Sequence, residues 1–249
     1  MRSITYIKDY YNKYYTNKLD SYWNKTQILN AFKTFESDYM QGKWLSHRMG
    51  IKGNEKILDC GCGIGGVMKQ ISYLYPDTNI HGINISDGQI KMAKELLKES
   101  NNCTLSIQDF MNTKYDDNTF DIVYFCESIC HNDFDNVVKE AYRILKPNGI
   151  LYIKDLVIKS SKDTLNKEEL KNLNHFINSW GYNVFDIKTI VNKIDSIGGF
   201  KLINKKKFIK PSLNWFDAVR NSELKEYHNA KLSNIPPIRG ADFLYRKYK

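Results

Sequence analysis

Residues 56–66 read Lys-Ile-Leu-Asp-Cys-Gly-Cys-Gly-Ile-Gly-Gly: an apolar run ends in Asp59 and passes straight into Gly61, Gly63, Gly65 and Gly66. Glycines at this spacing let the backbone turn sharply from strand to helix and leave it bare for a ligand to lie against. A second constellation follows another apolar run, where Glu127 and His131 stand within Phe-Cys-Glu-Ser-Ile-Cys-His. A carboxylate and an imidazole at that separation can move a proton, and partial desolvation would raise the carboxylate's pKa toward neutrality.

Two chemistries compete for the glycine loop. Gly61, Gly63 and Gly66 satisfy Gly-x-Gly-x-x-Gly, in which the backbone makes room for a pyrophosphate at a helix N-terminus. Asp59 favours a ligand that carries an ammonium rather than a phosphate, because a carboxylate two residues before the first glycine is a cation acceptor. Asp59, Gly61, Gly63 and Gly65 resemble the Asp-x-Gly-x-Gly-x-Gly loop of class I methyltransferases, which use S-adenosyl-L-methionine.

That resemblance implies further positions. Gly82-Ile-Asn-Ile-Ser-Asp-Gly-Gln89 looks like the Gly-x-x-x-Ser-x-x-Gln segment of small-molecule branches, including sterol and terpene C-methyltransferases and several sugar O-methyltransferases. It implies that Asn84, Ile85 and Gln89 stand near a ribose. Asn84 departs from the acid usual there, since an amide oxygen accepts hydrogen bonds but brings no charge. Asp109 would take an adenine amino group, with Phe110 against the ring. Glu-Ser-x-x-His implies Glu127 and His131 at the rim of the acceptor pocket. Plainer readings stand beside these: Ser86 as a helix N-cap, Asp109 as a turn former, Glu127 touching only cofactor or backbone, and His131 as pocket wall.

The elements that must position these residues alternate. Strands are expected at Lys56–Cys60, Asn79–Asn84, Cys103–Gln108, Phe120–Cys126 and Ile150–Asp155, with helices between them and a breaker at Lys146–Gly149. A helix over Ile187–Ile197 and strands near 199–209 and 243–248 follow. The fold class expected is α/β: a Rossmann-like, seven-stranded, mostly parallel sheet with helices on both faces and a helical N-terminal cap. Residues 1–50 are the expected cap and 51–249 the methyltransferase domain, with a cap insertion at about 160–185. Tyr14, Tyr15, Tyr22, Trp23, His175, Phe176, Trp180 and Tyr182 would supply aromatic faces for an acceptor.

Bulk composition bounds the rest. The chain has 249 residues, of which 42% are hydrophobic and 26% charged, as in an ordinary globular protein. No apolar run reaches the ~18 residues of a membrane span, and the N-terminus is a poor signal peptide, so a cytoplasmic location is expected. Five cysteines, an odd number without finger spacing, read as reduced thiols, and no metal site is expected. Lysine and arginine exceed the acids by 37 to 28, which permits an acidic partner such as a diphosphate, with Mg²⁺ only in that case. The densest run, Lys205–Lys207 with Lys201 and Lys210, reads as a solvated edge strand. No Asn-Pro-Pro-Tyr or Asp-Pro-Pro-Tyr follows the fourth strand, which argues against nucleic acid as substrate. The partner expected is a small molecule, hydrophobic or diphosphorylated, and a homo-oligomer is compatible with the sequence. The function expected is methyl transfer to that molecule, with C-methylation of an isoprenoid or isoprenyl diphosphate alkene ahead of O- or N-methylation of a polar metabolite.

Overall fold

The computed structural model describes residues 3–12, 27–28, 35, 37–180, 182–208 and 238–248. Tyr14, Tyr15, Tyr22, Trp23 and Lys210 lie outside them, as does the side chain of Trp180.

Five parallel strands form the heart of the sheet: β1 (Lys56–Cys60), β2 (Asn79–Asn84), β3 (Cys103–Ile107), β4 (Phe120–Cys126) and β5 (Leu145–Ile158). The strand order is β3-β2-β1-β4-β5-β8-β7. Here β7 is Phe200–Phe208, and β8 (Ile238–Lys247) lies antiparallel between β5 and β7. The two-residue β6 (Phe185–Asp186) pairs beside the end of β5. Chain order reverses between β1 and β4, and the crevice beyond the carboxyl ends of these two strands is where such sheets bind ligands.

Successive residues of the central strands face opposite layers. Leu58, Val123, Phe125, Leu151 and Ile153 join one core with helices α5 (Phe134–Ile144) and α7 (Ile187–Ile197). Ile57, Ile122, Tyr124 and Tyr152 join the other, with α2 (Asp38–Met49), α3 (Gly66–Leu74) and α4 (Asp87–Leu96). Burial on both faces explains why these strands read as continuous apolar runs instead of alternating ones.

Two differences from expectation have physical causes. Strand β5 begins at Leu145, not Ile150, because the register shift between Phe120 and Ile122 lets residues 146–149 loop out. Pro147 lacks a donor and Asn148 sits at φ +66°, which suits a bulge and not a ladder. Strand β8 begins five residues before the expected Phe243, running through the charged Arg239 and Asp242. The Asp242 carboxylate is buried but bidentately held by Arg48, at 2.7 Å to Nε and 2.6 Å to Nη2, with Tyr152 Oη donating to it at 3.1 Å. That pair ties α2 to the sheet.

The N-terminal α1 (Ile4–Tyr10) is capped by Ser3. The 160–185 region contains α6 (Lys167–Trp180). Leu165, Leu173, Phe176 and Val184 from this region close over Leu156 and Ile158 at the end of β5. Lys201, Lys205 and Lys206 are exposed on β7, an edge strand. Among the described residues no helix is long and apolar enough to cross a membrane.

Candidate active site

The glycine loop leaves β1 with Gly61, Gly63 and Gly65 all at positive φ, +80°, +56° and +82°. The Gly61 and Cys62 N–H groups both donate to the Ile83 carbonyl, clamping the loop to the end of β2. The glycines serve different ends. A Cβ on Gly61 would stand 2.5 Å from the Ser128 Cβ, whereas at Gly63 nothing lies within 4 Å. Gly61 is needed for packing, and Gly63 presents bare backbone to open space.

Asp59 is nearly buried and accepts from Tyr124 Oη at 2.6 Å, across the β1–β4 register. One phenol is its only described polar partner, and burial without a cation pushes its pKa up to about 7.

At the end of β2 the Asn84 amide donates to Gln89 Oε1 at 2.8 Å, and its oxygen accepts from the Ser86 N–H. Ser86 also caps α4 by accepting from the Gln89 N–H, as the plainer reading of this segment expects. With its carbonyl spent on Asn84, Gln89 has its amino end left to donate. Ile85 is half-buried beside them. Asp109, just past β3, accepts from the Met111 N–H with one oxygen, as a turn former does. Phe110 stacks edge-on against Phe125 at 5.4 Å and lies 3.5 Å from the position a Gly61 Cβ would take. Phe110 therefore lies against the glycine loop.

The acceptor-side segment leaves β4 through Glu127 at φ +59°. Its N–H donates to the Lys154 carbonyl at 2.7 Å, and its carboxylate receives the buried Lys154 ammonium at 2.5 Å. The Glu127 carboxylate, expected to be partly desolvated, is also ion-paired. Ser128 Oγ donates to the Cys60 carbonyl, and Asp155 Oδ2 accepts the Ile129 and Cys130 N–H groups. Burial holds the Asp155 pKa up at about 7.

His131 is buried, and desolvation lowers its pKa to about 4, so it is neutral at pH 7. Its Nε2 is hydrogen-bonded to Tyr11 Oη at 2.6 Å, and its ring meets Tyr182 edge-on at 4.7 Å. Phe176 continues this aromatic wall. Next to Tyr11, Asn12 Oδ1 accepts from Ser86 Oγ and the Gly88 N–H. One N-terminal strap therefore reaches both the loop after β2 and His131.

Lys154, Asp155, Tyr124 and Asn12 escaped sequence reasoning. The first two had a signal, a charged pair inside the apolar run Leu151–Ile158. Tyr124 and Asn12 had none.

Residues 58–153 match the family described as "Methyltransferase domain". The sterol 24-C-methyltransferase erg6 of Aspergillus fumigatus is 37% identical over 129 residues, half of this chain and 34% of that protein. The chain therefore spans only about a third of that relative's length. The crystal structure of the [4+2]-cyclase SpnF superposes with TM-score 0.76 at 18% identity, covering 97% of this chain and 95% of that one. Geranyl diphosphate C-methyltransferase from Streptomyces coelicolor, solved with Mg²⁺, geranyl diphosphate and S-adenosyl-L-homocysteine, gives 0.68 at 14% identity, over 84% and 78% of the chains. These structures share the fold of this chain.

Proposed function

We propose, for a chain whose residues 58–153 match the family described as "Methyltransferase domain", that it methylates a carbon atom of an isoprenoid acceptor using S-adenosylmethionine. The observation carrying this reading is the alignment of Asp59, Asn84 with Gln89, Asp109 and the Glu127–His131 segment at the carboxyl ends of the neighbouring strands β1, β2, β3 and β4. The named sterol relative and the geranyl diphosphate enzyme support carbon and isoprenoid as acceptor atom and class.

The residues present fit that cofactor. Among the described residues, Asp59, its pKa pushed up to about 7 by burial, has no cationic partner, and an ammonium would supply one. Gly63 leaves backbone open for close approach. Asp59 would hold the amino-acid end, Asn84 and Gln89 with Ile85 the ribose, and Asp109 with Phe110 the adenine. When bound, S-adenosylmethionine supplies an electrophilic methyl group on a sulfonium.

What this chain contributes is alignment, exclusion of water and a place for charge. The N-terminal segment that carries Tyr11 and the insertion at about 160–185 would act as the cap: Tyr11 from one and Tyr182 from the other meet on His131. Their ring faces, with the Glu127 carboxylate, would stabilise positive charge developing on an alkene carbon. A proton next to such a carbon is strongly acidic, so a weak base suffices to take it. A neutral imidazole with a pKa of about 4 or an ion-paired carboxylate is such a base. An alcohol acceptor asks for a base nearer neutrality, which favours carbon.

O- or N-methylation remains the second reading, favoured by the Tyr11–His131 hydrogen bond as a route for a proton. The cyclase neighbour shows that this fold also hosts other chemistry, so transfer itself must be measured. The protein is incubated with methyl-labelled S-adenosylmethionine and geranyl diphosphate, a side-chain-unsaturated sterol, or a small amine. Label on carbon supports the proposal. Label only on oxygen or nitrogen moves the reading to the second, and no cofactor binding sinks both.

A further inference from the structure

We propose that Lys154 is a positioning residue that holds the Glu127 carboxylate both in place and ionised from the neighbouring strand. The inference rests on the reading of Glu127 as the charge-stabilising or proton-accepting group of the acceptor site.

Strands β4 and β5 run parallel with Cys126 opposite Lys154, so Glu127 is the first residue past the register. Lys154 grips it twice. Its carbonyl accepts the Glu127 N–H at 2.7 Å, and its ammonium meets Glu127 Oε1 at 2.5 Å. The left-handed φ of +59° is one that residues with a Cβ rarely adopt, and surrounding contacts must hold it. Lys154 thereby contacts both the backbone and the side chain of Glu127.

Burial makes the pairing strict. The Lys154 side chain is 1% exposed and that of Glu127 10%. An ammonium this far from water keeps its charge only beside an anion, and the carboxylate gains the same from the ammonium. Among the described residues, titratable groups facing the pair include Asp155 on the same strand, Cys126 at the end of β4 and Cys130 on the 129–131 turn. Asp155 is otherwise engaged, accepting the N–H groups of Ile129, Cys130 and Leu156. Adjacent residues of β5 thus divide the acceptor-side segment: Lys154 holds 127 and Asp155 holds 129–130. Apolar residues would pack this strand end more simply, so a buried lysine here points to a use for the charge.

Titration reads directly whether Lys154 tunes the Glu127 carboxylate. The Glu127 carboxyl carbon is followed by ¹³C NMR across pH in full-length protein, assigned by its loss in Glu127→Gln. In Lys154→Met its midpoint should rise by roughly one pH unit or more, a tenfold change in proton affinity, because a desolvated carboxylate has lost its cation. In Lys154→Arg it should stay within about half a unit. If Lys154→Met does not fold, Lys154→Gln fills the same space without charge and is judged by the same rise. An unmoved midpoint in the folded neutral variant overturns the proposal. Calorimetry with S-adenosylmethionine on the same wild-type sample tests the functional reading separately: absence of heat removes that reading, while the titration still decides what Lys154 does to Glu127.

Discussion

Tyr11 Oη and His131 Nε2 stand 2.6 Å apart although 120 residues separate them, joining the N-terminal strap to the turn beyond β4. The adjacent Asn12 bonds to Ser86 and Gly88 beyond β2. The strap therefore bridges the two halves of the site, and its removal should be felt on the acceptor side first. Tyr11→Phe keeps the ring but loses the hydrogen bond, worth about 1–1.5 kcal/mol, so single-turnover methyl transfer should fall roughly tenfold. Cofactor affinity should change by less than about threefold, since Asn12 is untouched. Equal losses in both would show that the strap acts as one unit.

Under the proposed function, Asp59 links S-adenosylmethionine binding to pH. Its pKa of about 7 means that it is largely protonated in the free protein at pH 6. An ammonium needs the ionised form, so binding should tighten as pH rises from 6 to 8 and level off above, with proton release near pH 6. Titration calorimetry in buffers of different ionisation heat measures both. In Asp59→Asn the pH dependence should vanish and affinity should drop about tenfold or more.

The same carboxyl carries a stability signature of definite sign. A folded-state pKa raised above the unfolded value contributes stability that is present below about pH 4 and lost as pH rises through about 7. Free of cofactor, Asp59→Asn should therefore melt higher than wild type at pH 8, by about 1–2 kcal/mol equivalent, with the advantage absent at pH 4. His131 runs the other way. Its pKa is depressed to about 4, so its contribution is present above about 6.5 and lost as pH falls through 4. In His131→Gln the melting temperature should decline less than in wild type between pH 6.5 and 4, and a parallel decline would contradict the buried neutral imidazole.

Two neighbouring glycines should respond differently to the same substitution. Gly61→Ala forces a Cβ into Ser128 and demands φ +80°, so it should lower unfolding stability by about 3 kcal/mol or more. Gly63→Ala meets no atom within 4 Å and has only its φ of +56° to bear, about 1 kcal/mol. It should remain folded in urea titrations yet bind S-adenosylmethionine markedly less well. Wild-type affinity in Gly63→Ala would remove that glycine from the cofactor site.

Much of the fold was legible along the chain because its signals are local. Apolar runs, the Ser86 N-cap and glycines at fixed offsets each speak within a few residues, and they located β1 to β4, α4 and the loop after Asp59. The early start of β8 was not legible, because its Asp242 looks like a surface residue until Arg48 arrives from α2. The residues that the family resemblance implies for the cofactor could be named along the chain, but not their mutual bonds, such as the amide pair of Asn84 and Gln89.

By itself the sequence determined the alternation of strands and helices, the glycine loop, and the carboxylate and imidazole beyond β4, since each depends on neighbours in the chain. Only the tertiary structure decided how these groups are charged and held. Lys154 neutralises Glu127, burial strips His131 of its proton, and Tyr124 is the phenol facing Asp59. Protonation follows from desolvation and from partners on other strands, and neither quantity exists until the sheet brings distant segments together.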